Sequence, residues 1–361
     1  MALPEFLIRL RNRLLTDPRF ISAVQKLPVG RSIARRKSQQ LFDIVAGFTS
    51  SQILSACVSL KVFERVGREG TSLAELTRAT GLTADRCLML VKGAEALGLL
   101  QRAGGTVHLG EMGAALFAQP WIMRLVEHHE HFYRDLSDPV ALLKTPKPAG
   151  DLQRYWAYDD SGGDKARYSA LMAASQRAVS EQVLAAYDFA RHSRMLDVGG
   201  GAGAFLRAVG AQYPKLQLNL FDLPAVAALV SHSPDTSSLP LIQAHGGDFR
   251  GDSLPAGMDL VTLIRVVHDH DDDAVLALFR NIRRAVEPGA TLLIAEPMSG
   301  QSGSGKVADA YFNFYFTAMA QGRTRTPAEI AQIAAQSGFG ALRQWDTPNP
   351  LITGVLTLLA Q

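Results

Sequence analysis

Leu196-Asp197-Val198-Gly199-Gly200-Gly201-Ala202-Gly203 is the stretch on which the fold turns. An apolar run ending in closely spaced glycines predicts a strand that passes through a tight turn into a helix. There a ligand can approach the backbone, and its polar groups can meet free helix N–H donors. Gly199, Gly201 and Ala204 also fit the loose G-x-G-x-x-A dinucleotide pattern. About twenty residues on, Phe221-Asp222-Leu223-Pro224 ends the next strand, where Asp222 can accept bonds from both hydroxyls of an adenosine ribose. These two segments imply an adenosyl cofactor without choosing between a nicotinamide dinucleotide and S-adenosylmethionine.

Outward from this turn, strand-like segments at Met195–Val198, Leu216–Asp222, Leu241–Asp248, Asp259–Val267 and Thr291–Glu296 alternate with helical stretches. That order predicts an α/β domain, an open and mainly parallel sheet covered by helices on both faces. The last two strands, near Leu342–Asp346 and Leu351–Leu359, are joined only by Thr347-Pro348-Asn349-Pro350, which forces an antiparallel pair. Three features favour methyl transfer over hydride transfer. Asp197 precedes the first glycine by two residues, Gly247-Asp248-Phe249 pairs an acceptor with an aromatic plane for adenine, and a hairpin closes the sheet. The plainer alternatives are that Asp248 caps a helix and Phe249 fills core.

The N-terminal part reads differently. Ser72-Leu73-Ala74-Glu75 has capping-box spacing, Thr80-Gly81-Leu82-Thr83 turns the chain into a helix over Ala84–Leu97, and Gly104-Gly105 sits inside a hairpin at Leu99–Leu109. Helix, turn, helix and hairpin form a winged-helix-like order. Ala84–Lys92, however, carries only Arg86 and Lys92 as cations, which excludes a base-reading helix and suits packing against a partner subunit. Pro146, Pro148, Gly150, Gly162 and Gly163 mark a surface loop, followed by a helix from about Arg167 to Phe189. We place the domain boundary between 165 and 166: a helical, winged-helix-like dimerisation and substrate-covering domain at 1–165, then the cofactor-binding domain at 166–361.

Thirty-seven basic against 34 acidic residues give a net charge of +3, too little to imply a nucleic-acid partner. Cys57 and Cys87 have no metal-ligand spacing and are too few for a disulfide framework. No secretory signal and no run of about 18 uncharged apolar residues is found. The expectation is therefore a cytoplasmic protein, soluble or peripheral on a membrane. Between Arg9 and Lys37 the basic residues Arg11, Arg13, Arg19, Lys26, Arg31, Arg35 and Arg36 face a single acid, Asp17. Leu3, Phe6, Leu7, Leu10 and Leu14 recur at helical spacing, which fits either an interfacial helix on anionic lipid or a dimer-packing helix.

Asp197–Gly203, Phe221–Pro224, Gly247–Phe249, Val267-His268-Asp269-His270 and Ala295-Glu296-Pro297 together resemble the S-adenosylmethionine-dependent O-methyltransferases that include plant caffeate and isoflavone enzymes. The resemblance spans roughly residues 40–361. It implies that Asp197, Gly199, Gly201, Asp222, Asp248 and Phe249 hold S-adenosylmethionine, with Arg265 near a cofactor-facing basic position but one residue out of register. It implies His268 as general base, Glu296 as its orienting carboxylate and Asp269 beside them, with no metal. Two departures stand out. The family's His-Asp-Trp reads His268-Asp269-His270, and Thr324 in Gly322-Arg323-Thr324-Arg325-Thr326 occupies the place of a second carboxylate. His270 is expected on the solvated surface.

A narrower resemblance lies in Asp17–Phe20, Ala34–Lys37, Leu41–Asp43, Asp309–Phe312, Arg323–Ala328 and Asn349–Leu351, which look like demethylspheroidene O-methyltransferases of purple bacteria. It implies methylation of the tertiary 1-hydroxyl of an acyclic carotenoid, with Tyr311, Phe312, Phe314, Tyr315 and Phe316 available to line an apolar tunnel. The alternatives are a phenolic or polyketide acceptor, a cofactor-binding regulator without catalysis, and a nicotinamide dehydrogenase. A homodimer is the default assembly.

Overall fold

A computed structural model describes residues 3–146, 148, 150–156, 164–231, 241–300, 308–350 and 352–361. Gly162, Gly163 and Leu351 of the sequence reading lie outside them. Two compact units divide the chain, Met1–Gln119 and Pro120–Gln361.

In the first unit, α1 (Glu5–Leu15), α2 (Pro18–Lys26) and the long α3 (Pro28–Ser59) precede the winged-helix-like part. α3 runs unbroken for 32 residues, and α4 (Val62–Val66) follows it. Among the described residues α3 alone is long and apolar enough to cross a membrane by length and composition. It packs on α6 (Ala84–Ala96), where Ile53 lies against Gly93. The predicted capping box forms at the start of α5 (Leu73–Thr80): Ser72 accepts the Glu75 N–H while the Glu75 carboxylate accepts the Ser72 N–H. The two-residue β1 (Thr71–Ser72) pairs antiparallel with β3 (Thr106–Leu109), which also pairs antiparallel with β2 (Leu100–Ala103) across Gly104-Gly105, both glycines having positive φ, and α7 (Glu111–Phe117) follows. Glycine adopts that conformation without a Cβ penalty.

The second unit begins 46 residues before the boundary read from the sequence (166 − 120), and the reason is packing. α8 (Pro120–Asp135), α9 (Pro139–Lys144) and α10 (Asp151–Trp156) contribute Phe132, Leu142 and Leu152 to one buried cluster with Tyr315, Phe316 and Met319 of helix Asn313–Met319. α10 also falls where the sequence reading has only loop. α11 (Asp164–Ala186) leads into a sheet that, among the described residues, has seven strands in the order β6-β5-β4-β7-β8-β10-β9. β4 (Arg194–Val198), β5 (Gln217–Asp222), β6 (Ile242–Gly246), β7 (Leu260–Ile264) and β8 (Thr291–Glu296) run parallel. β10 (Gly354–Ala360) runs antiparallel to both β8 and β9 (Phe339–Trp345), so it inserts between them. The central strands are buried along nearly their whole length because helices cover both faces.

Candidate active site

The C-terminal ends of the parallel strands carry the candidate residues, the position where an open α/β sheet leaves a crevice. At the end of β4, Gly199, Gly201 and Gly203 all have positive φ. A side chain on Gly199 would meet Val266 at 2.8 Å, and one on Gly200 would meet the Asp197 carboxylate at 2.5 Å. A Cβ on Gly201 would meet nothing within 4 Å, so this backbone faces open space. Asp222, ending β5, ties the turn by accepting the Gly201 N–H at 2.8 Å and the Leu223 N–H at 2.7 Å. Burial raises its pKa from the usual aspartate value, against the lowering effect of those two N–H donors.

Asp197 is almost fully buried; one oxygen accepts the Thr262 hydroxyl at 2.6 Å and the other has no hydrogen-bond partner among the described residues. Burial pushes its pKa to about 7, against the lowering effect of Thr262. A buried, unsatisfied carboxylate oxygen beneath a glycine turn is costly unless a ligand donor meets it. Beyond β6, the Asp248 carboxylate is taken by Arg250, whose guanidinium donates to both oxygens and holds the pKa low. Phe249 packs on the core cluster and presents its ring edge-on to His270 at 5.2 Å between centroids. His270 is therefore half-buried on an aromatic ring, which corrects the solvated position expected from the sequence.

β7 ends at Ile264, earlier than the sequence pattern implies, because Arg265 adopts φ 60. A left-handed conformation at a non-glycine residue stores strain of order 1–3 kcal/mol and occurs preferentially at functional sites. It redirects the chain into the short turn Val267–Asp269 while the Arg265 guanidinium donates to the Ser175 hydroxyl at 2.8 Å. His268 sits in this turn, 4 % exposed. Its Nδ1 lies 3.8 Å from a Glu296 carboxylate oxygen and its Nε2 lies 3.4 Å from Asp269. Glu296, at the end of β8 and wholly buried, accepts the His268 backbone N–H at 3.0 Å. Burial drives its pKa up to about 8 and drives that of His268 well down, the latter aided by Arg265. The two shifts describe a neutral imidazole beside a neutral carboxyl. Asp269 is likewise raised by burial, opposed by Arg265.

A residue without an assigned role in the sequence reading organises this turn. Arg325, the largest fully buried side chain, donates to the Val267 carbonyl at 2.9 Å, the His270 carbonyl at 2.7 Å and the Asp272 carboxylate at 2.6 Å. It thus clamps the backbone on both sides of His268. Gly322 completes the fit, since any side chain there would fall 2.1 Å from the His268 carbonyl, and the Arg323 N–H donates to that same oxygen. Thr324, at the place of the family's second carboxylate, accepts the Ser299 hydroxyl and donates to Asn313. It forms a neutral network. Phe316 lies against the His268 ring at 4.9 Å, and Phe312 stacks on Phe316 at 6.1 Å, giving the histidine an apolar flank.

Residues 133–340, more than half the chain, match the O-methyltransferase domain family. The chain belongs to that family. It is an O-methyltransferase acting on a small molecule. It is 40% identical to the demethylspheroidene O-methyltransferase of Cereibacter sphaeroides over 97% of this chain and 94% of the relative. It is 39% identical to that of Rhodobacter capsulatus over 96% of this chain and 88% of the relative. Human N-acetylserotonin methyltransferase, solved in complex with SAM, superposes with a TM-score of 0.75 at 21% identity, covering 90% of this chain and 97% of that one, and so shares the fold.

Proposed function

We propose that this methyltransferase transfers the methyl group of S-adenosylmethionine to the tertiary hydroxyl of an acyclic 1-hydroxy carotenoid. The observation that carries the substrate is the similarity, along nearly the whole chain, to two enzymes named demethylspheroidene O-methyltransferase. The buried aromatic cluster flanking His268 supports an extended apolar acceptor.

The residues present fit the methyl donor: open backbone at Gly201, an unsatisfied oxygen on Asp197, a carboxylate at Asp222, and the Phe249–His270 aromatic pair. Asp197, Gly199, Gly201, Asp222, Asp248, Phe249 and Arg265 are assigned to it. The Asp248 carboxylate would have to meet the donor while still paired with Arg250. When bound, the donor supplies a methyl carbon already made electrophilic by the adjacent sulfonium. The chain's task is then to align the acceptor oxygen and exclude water, and alignment of this kind can supply roughly 7–11 kcal/mol of the barrier.

His268, kept neutral by burial, takes the hydroxyl proton, while Glu296 fixes the turn that presents it. A tertiary alcohol is far less acidic than an imidazolium, so the proton leaves late, as the C–O bond forms. The exposed and nearly uncharged stretch Leu41–Phe48 of α3, which carries Asp43 as its one ionised residue, supports a homodimer joined there. The reading is tested by incubating the protein with methyl-labelled S-adenosylmethionine and a detergent-dispersed 1-hydroxy carotenoid. Label in the carotenoid ether supports it; label appearing only in phenols offered alongside would overturn the substrate while keeping the reaction.

A further inference from the structure

We propose that α1, α2 and the first turns of α3 form a docking surface for an anionic lipid bilayer. This surface rests on its own residues, whichever acceptor is methylated. α1 buries none of its side chains, and Phe6, Leu10 and Leu15 are each more than half exposed. An eleven-residue helix with a bare apolar face is marginal in water, so a cover is required. At 3.6 residues per turn, Phe6, Leu7, Leu10 and Leu14 of α1 fall on one arc, bordered by Arg11 on one side and by Arg13 and Arg9 on the other. Cations flanking an apolar arc can reach the headgroups while the arc sinks between the acyl chains.

The charge continues beyond α1. From Arg9 to Lys37 the chain has nine Lys and Arg residues and one acid, a net of +8. The acid, Asp17, is occupied in capping α2 through the Arg19 N–H. α2 is seated on α3 because Gly30 lies under the Val24 carbonyl with no room for a side chain. Beside that contact lies an open groove of about 830 Å³ whose lining includes Arg31, Arg35, Arg36, Gln25, Gln39 and Phe42. Among the described residues none of the three arginines has an ion-pair partner. Guanidinium groups sharing a groove with an aromatic ring match a phosphodiester above acyl chains.

Charge decides between a bilayer and a second copy. Two copies joined through this segment would bring +8 against +8, whereas an anionic surface complements it. The uncharged apolar stretch farther along α3 has no such conflict and is left to the dimer.

The test is flotation of the full-length protein with vesicles of phosphatidylcholine containing about 30% phosphatidylglycerol, and with pure phosphatidylcholine, in low and high salt. Each basic side chain near an anionic surface is worth about fivefold in partitioning. The triple variant Arg31→Gln, Arg35→Gln, Arg36→Gln should therefore bind about 100-fold more weakly. Phe6→Ser with Leu10→Ser should weaken binding while leaving its salt dependence. Unchanged thermal unfolding and unchanged turnover of a detergent-dispersed acceptor would show that both variants fold. Equal binding to both vesicle types, binding to neither, or full binding by the triple variant would overturn the proposal. So would retention on duplex DNA or RNA without vesicle binding, or loss of the dimer in either variant.

Discussion

Replacing Arg325 with methionine, similar in length and uncharged, should both loosen the fold and displace His268. The substitution removes the donor from the His270 carbonyl and one of two donors from the Val267 carbonyl, which keeps the His270 N–H. An unsatisfied buried carbonyl costs about 1–3 kcal/mol. Asp272 adds little, because its side chain is half exposed and keeps its ion pair with Arg323. The expected destabilisation is about 1–3 kcal/mol, and at roughly 2–4 °C per kcal/mol for a unit of this size the unfolding midpoint falls by roughly 2–12 °C. Freed from its clamp, the turn can shift by the ~1 Å that costs about 100-fold in rate. Thermal unfolding followed by circular dichroism, and turnover measured well below the midpoint, check the two halves separately. Arg325→Lys, retaining the charge and part of the hydrogen bonding, should fall between. A methionine variant with an unchanged midpoint and unchanged kcat would refute the clamp.

Three further outcomes follow from the same geometry. Glu296 binds its proton more tightly in the folded chain, at about 8 against an ordinary 4.5, so its stabilising contribution is lost as pH rises between those values. The unfolding midpoint of Glu296→Gln should accordingly gain on the wild type from pH 5 to pH 8; a constant difference would contradict the buried neutral carboxyl. Gly201→Val fills the open face of the glycine turn and strains a residue at φ 57. It should weaken S-adenosylmethionine binding by at least tenfold in calorimetry, and unaltered affinity would remove the turn from the donor site. His268→Asn should lower kcat at least ten times more with a phenol than with a tertiary alcohol, because only the phenol can lose its proton early; equal losses would refute the late proton transfer.

The parts of this architecture legible in the sequence are those with a local cause. The Gly199–Gly203 turn, the Ser72–Glu75 capping box and the Gly104-Gly105 hairpin each need a particular backbone conformation that few residues permit. The close approach of His268 to Glu296 follows from adjacent strand ends, β7 and β8, which the alternating pattern places side by side. What sequence could not reveal depends on segments far apart in the chain. Arg325 is a buried cation only because Val267, His270 and Asp272 arrive around it from another strand end. The unit boundary moves to Pro120 because Phe132 and Leu152 find their apolar partners in helix Asn313–Met319. His270 looks like a surface residue until Phe249 is packed beside it. Gly322 is the one local sign that could have pointed to the clamp, since a glycine there is dictated by the His268 carbonyl.

The most direct measurement is a competition in one vessel, with a 1-hydroxy carotenoid and a phenol at equal dispersed concentration sharing limiting deuteromethyl S-adenosylmethionine, the two ethers being counted by mass spectrometry. The carotenoid ether should dominate by at least 100-fold, and His268→Asn should reduce the phenol ether most. Preferential methylation of the phenol would contradict it.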